Sequence, residues 1–132
     1  LYRCLSSFLL WRKKKTSYEE KRKQGQLFGL IEEGQIVCAA VLLEEDESWN
    51  DSIPSLYVHN LVSSRNIQGA GRRFFACLED YAHRQRKKYI RLDSAKDNKS
   101  LEDYYTSLGF IEAGTCIDGL YKGICRQKEV HY

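Results

Sequence analysis

Two apolar runs rich in β-branched residues, Leu27–Ile31 and Ile36–Leu43, flank the polar tetrad Glu32-Glu33-Gly34-Gln35. Such runs on either side of a short glycine-bearing loop predict a β-hairpin, with Gly34 at a position that needs a positive φ. The second run is apolar at every position rather than at alternate ones, so it is expected to be covered on both faces inside a sheet. An acidic, polar stretch over 44–54 holds the only proline and reads as a loop into a further strand, Leu56–Val62. Beyond Gln68-Gly69-Ala70-Gly71, the residues Phe74, Phe75, Leu78, Tyr81 and Ala82 recur at the spacing of one helical face. Tyr89–Leu92 follows as a strand, and a strand, helix, strand unit predicts parallel pairing of 56–62 with 89–92.

The two ends are read in the same way. Leu5 to about Lys23 has helical composition, with Leu5, Phe8 and Leu9 on one side, and predicts one or two short helices. Ser100 followed by Asp103 resembles a capping box, and Leu101, Tyr104, Tyr105 and Leu108 then share a helical face until Gly109 ends it. Phe110–Cys116 and Leu120–Cys125 read as a closing pair of strands. Strands and helices in this order predict an α/β fold with helices on both faces of the sheet, in a single domain over 1–132.

Composition narrows the classes. With 42% apolar and 30% charged residues, the chain can bury a core and is expected to be ordered. The longest apolar run, Ile36–Leu43, is far short of the roughly 20 residues that span a bilayer, so no membrane segment is expected. No secretory signal is visible, which makes a cytoplasmic location the default. Five cysteines, odd in number and scattered, predict free thiols, and the three histidines are too dispersed to suggest a metal site. The net charge of +3 comes from short basic runs over 12–15, 21–23 and 84–88. Aromatic residues do not interleave with them as a stacking platform requires, so no nucleic-acid partner is expected.

The loop at Gln68–Gly71 has chemistry of its own. A glycine turn between a strand and a helix exposes backbone N–H groups at the positive end of the helix dipole, where a pyrophosphate can rest. No Gly-Lys-Ser/Thr follows, which excludes a P-loop, and two glycines are too few for a dinucleotide fingerprint.

The order hairpin, strand, glycine loop, long helix, strand, then Asn98, Tyr105 and Gly109-Phe110 resembles the GNAT N-acetyltransferase superfamily over about residues 5–126. In that family the loop reads Gln/Arg-x-x-Gly-x-Gly/Ala, which Gln68 and Gly71 match and Arg73 breaks; a register starting at Asn66 instead would use Gly69 and Gly71. Asn98, Leu101, Tyr105, Gly109 and Phe110 stand at the family's C-terminal spacing. The segments Ser48-Trp49, Leu56–His59 and Arg91–Asp93 resemble a bacterial branch acting on small or peptide amines. The family's first strand has no counterpart here, so part of the N-terminus is expected to be missing.

The resemblance implies a GNAT-like mixed, splayed sheet that opens between 56–62 and 89–92, with acetyl-coenzyme A as cosubstrate in the opening. The backbone of Leu61 and Val62 would hold the pantetheine arm. The amides of Gly69, Ala70, Gly71, Arg72 and Arg73, with Gln68 and Asn98, would hold the rest of the molecule. At Gly71 a Cβ is expected to intrude where a phosphate approaches, and the Arg73 side chain is expected to swing outward, within reach of a phosphate. Direct transfer of the acetyl group to a primary amine is implied, with Tyr105 as general acid and His59 as candidate base, Glu44 and Glu45 being rivals. An inactive coenzyme A-binding module is the alternative reading, and a homodimer is left open. Tyr104 reads as packing, and Arg91 and Asp93 as members of cross-strand pairs.

Overall fold

The computed structural model describes residues 8–11 and 26–132. Seven strands form one mixed sheet: β1 (Phe8–Trp11), β2 (Gln26–Glu32), β3 (Gln35–Leu43), β4 (Ser55–Ser63), β5 (Tyr89–Ala95), β6 (Ile111–Asp118) and β7 (Tyr121–Glu129), in spatial order β1-β2-β3-β4-β5-β7-β6. Two helices are described, α1 (Ala70–Arg84) and α2 (Lys99–Ser107). Among these residues no helix is long and apolar enough to cross a membrane.

The hairpin forms where the apolar runs predicted it. Glu33 and Gly34 turn it with φ of 51° and 78°, the left-handed pair that matches strand twist in a two-residue loop. Val37, Cys38, Ala39 and Ala40 are buried in succession, as a strand covered on both faces requires. β4 and β5 are parallel, joined through α1.

At the N-terminus the structure corrects the sequence reading. Phe8–Trp11 is a strand rather than part of a helix, pairing antiparallel with Leu27–Leu30, so the sheet does have a first strand ahead of the hairpin. Four residues carry little helical or strand signal of their own, and the exposed edge of β2 supplies the partner that decides between them. The rest of the helix predicted over 5–23 lies outside the described residues.

Both described helices cover the same face. Phe74, Phe75, Leu78 and Ala82 of α1 are buried against Phe28, Leu56, Val58, Ile90 and Leu92, and the Phe75 ring meets Tyr105 of α2 and Phe110 edge-on at 6.3 and 5.4 Å. α2 starts earlier than the capping box predicted, with its cap at Asn98 in place of Ser100. Asn98 Oδ1 accepts the Leu101 amide at 3.1 Å, while Asp103 accepts from Lys99 at 2.6 Å. Gly109, at φ 97°, ends it as expected.

The opposite face is covered between β4 and β5 by the 44–54 loop, and one buried arginine holds that loop down. Arg91 of β5 is 2% exposed; it grips Asp51 through Nη1 and Nη2 at 2.8 and 2.9 Å, donates to Gln127, and lies 4.3 Å from the Trp49 ring centroid. A planar guanidinium suits this fork-and-stack arrangement better than an ammonium would. Arg91→Ala is expected to cost about 2–3 kcal/mol, since it breaks an ion pair buried on one side and leaves a void under Trp49. Urea denaturation is the check, and Arg91→Lys should recover only part of the loss.

Candidate active site

β4 and β5 are hydrogen-bonded only at their beginnings, over Ser55↔Tyr89, Leu56↔Ile90 and Tyr57↔Arg91. Beyond Tyr57 the strands part. Val58, His59, Asn60 and Leu61 on one side and Leu92–Ala95 on the other line a cavity of about 430 Å³ with Leu101 and Tyr105 of α2 and Tyr121 of β7.

A bulge shapes the β4 wall. Ala39 of β3 faces Val62 and Val41 faces His59, so Asn60 and Leu61 together oppose Ala40, and Asn60 has φ 54°. Asparagine is among the few non-glycine residues that adopt this conformation readily. The extra residue falls out of the ladder with β3 on a strand already released from β5, which leaves backbone N–H and C=O groups free at the cleft.

Tyr105 reaches the cavity from α2 and is only 7% exposed. Its ring is fixed by Phe75, Tyr104 and Phe110. Burial first, and then neighbouring Tyr104 and Cys38, push its phenol up to about 12, so it remains a proton donor across the working pH range.

His59 faces the cavity from β4, with Nε2 2.7 Å from Asp46 Oδ2. Asp46 stands in the 44–54 loop, where its Oδ1 accepts the Ser48 amide at 2.8 Å. Burial works to raise this carboxyl, but hydrogen bonds from His59 and Ser48 prevail and hold it below the usual range. An ionised carboxylate only accepts, so Nε2 carries the hydrogen, and it is Nδ1 that holds the lone pair whenever the imidazole is neutral. Sequence reading missed this dyad, because its members are 13 residues apart on a loop and a strand. Neither rival base lines the cavity; Glu44 is exposed and paired with Lys87 at 2.8 Å.

At the far end of β4, α1 begins with Gly69 at φ 77°, no side-chain cap and no acidic residue in its first turn. The first helical bond runs from the Arg73 amide to the Gly69 carbonyl, so the amides of Ala70, Gly71 and Arg72 project from the helix end without helical partners.

No family model matches the chain. An uncharacterized N-acetyltransferase of Bacillus subtilis, YesJ, is 26% identical over 108 residues, which is 75% of this chain and 60% of that one. The chain thus spans less than two thirds of this curated relative. Among solved structures, a Bacillus subtilis acetyltransferase in complex with CoA superposes with a TM-score of 0.71 at 10% identity, over 94% of this chain and 98% of that one. A GNAT family acetyltransferase from Elizabethkingia anophelis with acetyl-CoA bound superposes with a TM-score of 0.70 at 12% identity, over 92% and 96%. The fold is that of the GNAT acetyltransferases.

Within this GNAT fold the residues singled out from the sequence fall into three groups. Tyr105, His59 and Leu61 meet at the cavity. Val62 is 63% exposed and lies outside its lining. Gln68, Gly69, Ala70, Gly71, Arg72 and Arg73 form the loop and first turn of α1, and Asn98 caps α2.

The loop side chains do more structural work than expected. A Cβ on Gly71 would overlap the Tyr104 hydroxyl, so this glycine lets α1 and α2 come together. Glu32 holds the partly buried Arg73 side chain through Nε and Nη2 at 2.7 and 2.8 Å, while Nη1 donates to the Gln68 carbonyl at 2.9 Å. Those hydrogen bonds hold the Glu32 carboxyl below its ordinary range. A guanidinium so committed ties the loop to β2. Arg72 reaches back to Ser107 at the end of α2. Among the described residues, no group of three or more histidines, cysteines or carboxylates could hold a metal ion.

Proposed function

We propose that the protein is an N-acetyltransferase that moves the acetyl group of acetyl-coenzyme A directly to a primary amine. The observation that carries this reading is the splay of β4 from β5, a single cavity into which a buried tyrosine and a carboxylate-oriented histidine both open. Two solved neighbours that hold coenzyme A or acetyl-coenzyme A in the same fold support the choice of donor.

The residues fit such a ligand. Free amides at the α1 N-terminus suit a pyrophosphate, and the unpaired edge of β4 at Leu61–Val62 suits the amide groups of a pantetheine arm. Acetyl-coenzyme A supplies the activated acyl group, as a thioester. Backbone N–H groups freed by the Asn60–Leu61 bulge meet negative charge as it develops on the carbonyl oxygen. An alkylamine is largely protonated at neutral pH and reacts only as the free base. His59 Nδ1 takes the proton the nitrogen loses as the C–N bond forms, and Asp46 stabilises the resulting imidazolium. Tyr105 gives the proton the sulfur gains as the C–S bond breaks.

Acetyl-coenzyme A at 100 times its Kd should stabilise the fold by about 2.7 kcal/mol, read as a rise in Tm. Thiol release should then depend on added primary amine. Stabilisation with no thiol release from any amine would leave a coenzyme A-binding module, and no stabilisation at millimolar ligand would overturn the reading altogether.

A further inference from the structure

The cavity has an acceptor wall that the transfer chemistry above does not use. Tyr57 and Arg91 are the last paired residues of β4 and β5, so residues two positions further on stand level with each other across the opening and on the same face. Those residues are His59 and Asp93, and both line the cavity. Asp93 Oδ2 accepts a hydrogen bond from the Tyr121 hydroxyl at 2.6 Å, which fixes the carboxylate. Among the described residues no cation pairs with Asp93. The neighbouring Arg91 is consumed by Asp51, and no lysine or arginine lines the cavity. A half-buried carboxylate with one donor is under-satisfied, because its two oxygens can accept about four hydrogen bonds.

We propose that Asp93 anchors a second, non-reacting ammonium of the acceptor, and that the acceptor is a diamine or polyamine. The inference rests on the acetyl-transfer reading of the same cleft. The reacting nitrogen must reach the thioester uncharged, and a carboxylate beside it would favour its protonated form. A carboxylate level with the base but one strand away therefore suits a charge that persists through the reaction. Neighbouring strands lie about 4.8 Å apart where they pair and diverge beyond, so the two nitrogens are separated by roughly 5 Å or more. Three or more methylenes between them satisfy that distance. Binding a charge that does not change during the reaction lowers KM and leaves kcat nearly alone, and this separates an anchor from a base.

The experiment compares 1,3-diaminopropane with n-propylamine in thiol-release assays of the wild type, Asp93→Asn and Asp93→Glu. It also measures calorimetric binding of the diamine to coenzyme A-loaded protein. The wild type should prefer the diamine in kcat/KM by more than about tenfold, the worth of one charge-assisted contact. Asp93→Asn should erase most of that preference through KM, and Asp93→Glu should restore part of it. A wild type that treats the two amines alike overturns the proposal, whatever the variants do. So does an Asp93→Asn that lowers kcat equally for both amines, which would make Asp93 part of the proton path. If no amine is acetylated, the transfer reading falls and calorimetry decides alone: diamine binding weakened by Asp93→Asn upholds the anchor, and its absence in the wild type overturns it.

Discussion

Tyr105→Phe is expected to lower kcat by about 10²-fold while changing acetyl-coenzyme A affinity no more than a few-fold, the signature of a lost general acid. The substitution removes one oxygen and leaves the ring, whose contacts with Phe75, Phe110 and Tyr104 survive. Stability should change little, so a fall in rate can be assigned to the hydroxyl. With its phenol pushed up to about 12 by burial, Tyr105 stays protonated through any ordinary assay. Its contribution should therefore be constant from pH 6 to 10, and the variant's deficit should be equally large at both ends of that range. Tyr104→Phe is the control. The two rings are 5.2 Å apart, but the Tyr104 hydroxyl sits against Gly71 rather than in the cavity, and its loss should be close to neutral in rate. A wild-type kcat in Tyr105→Phe, with chemistry shown to be rate-limiting, would reduce Tyr105 to core packing.

How far the sequence reveals this site depends on how local each feature is. The hairpin, β4, α1 and β5 are written in runs of residues that carry their own period, and the parallel pairing of β4 with β5 follows from the handedness of the connection. Phe8–Trp11 is decided by a partner about 20 residues away in sequence, and no local pattern reports it. The α2 start shows the same limit at shorter range. Asn98 and Ser100 are both good caps, and Asp97 at φ 62° sets the turn out of β5 that selects the first. The contact between Gly71 and Tyr104 of the following helix is invisible in the loop motif, because it joins residues of two separate helices. From the sequence alone Asp93 reads as one half of a cross-strand pair. Its place level with His59 follows from the register Tyr57↔Arg91, which parallel pairing of two apolar runs does not fix by itself.

His59 is where the remaining chemistry concentrates, and its loss should be as severe as that of Tyr105. His59→Gln is expected to reduce kcat by about 10²-fold or more, since glutamine keeps a polar group on β4 but cannot take a proton. Asp46→Asn should cost less, about tenfold, because it leaves the imidazole in place while disturbing its tautomer and weakening the stabilisation of the imidazolium. The decisive variant combines them. If Asp46 acts only through His59, then Asp46→Asn adds nothing on top of His59→Gln, and the double variant has the rate of His59→Gln alone. Fully additive losses would mean that Asp46 serves the reaction by another route, such as holding the 44–54 loop over the cleft. Asp51→Asn separates these possibilities. It loosens the same loop by weakening the Arg91 grip while the His59–Asp46 bond at 2.7 Å is untouched. A dyad predicts a much smaller loss of kcat from Asp51→Asn than from Asp46→Asn, whereas a loop held in place for its own sake predicts that the two are alike.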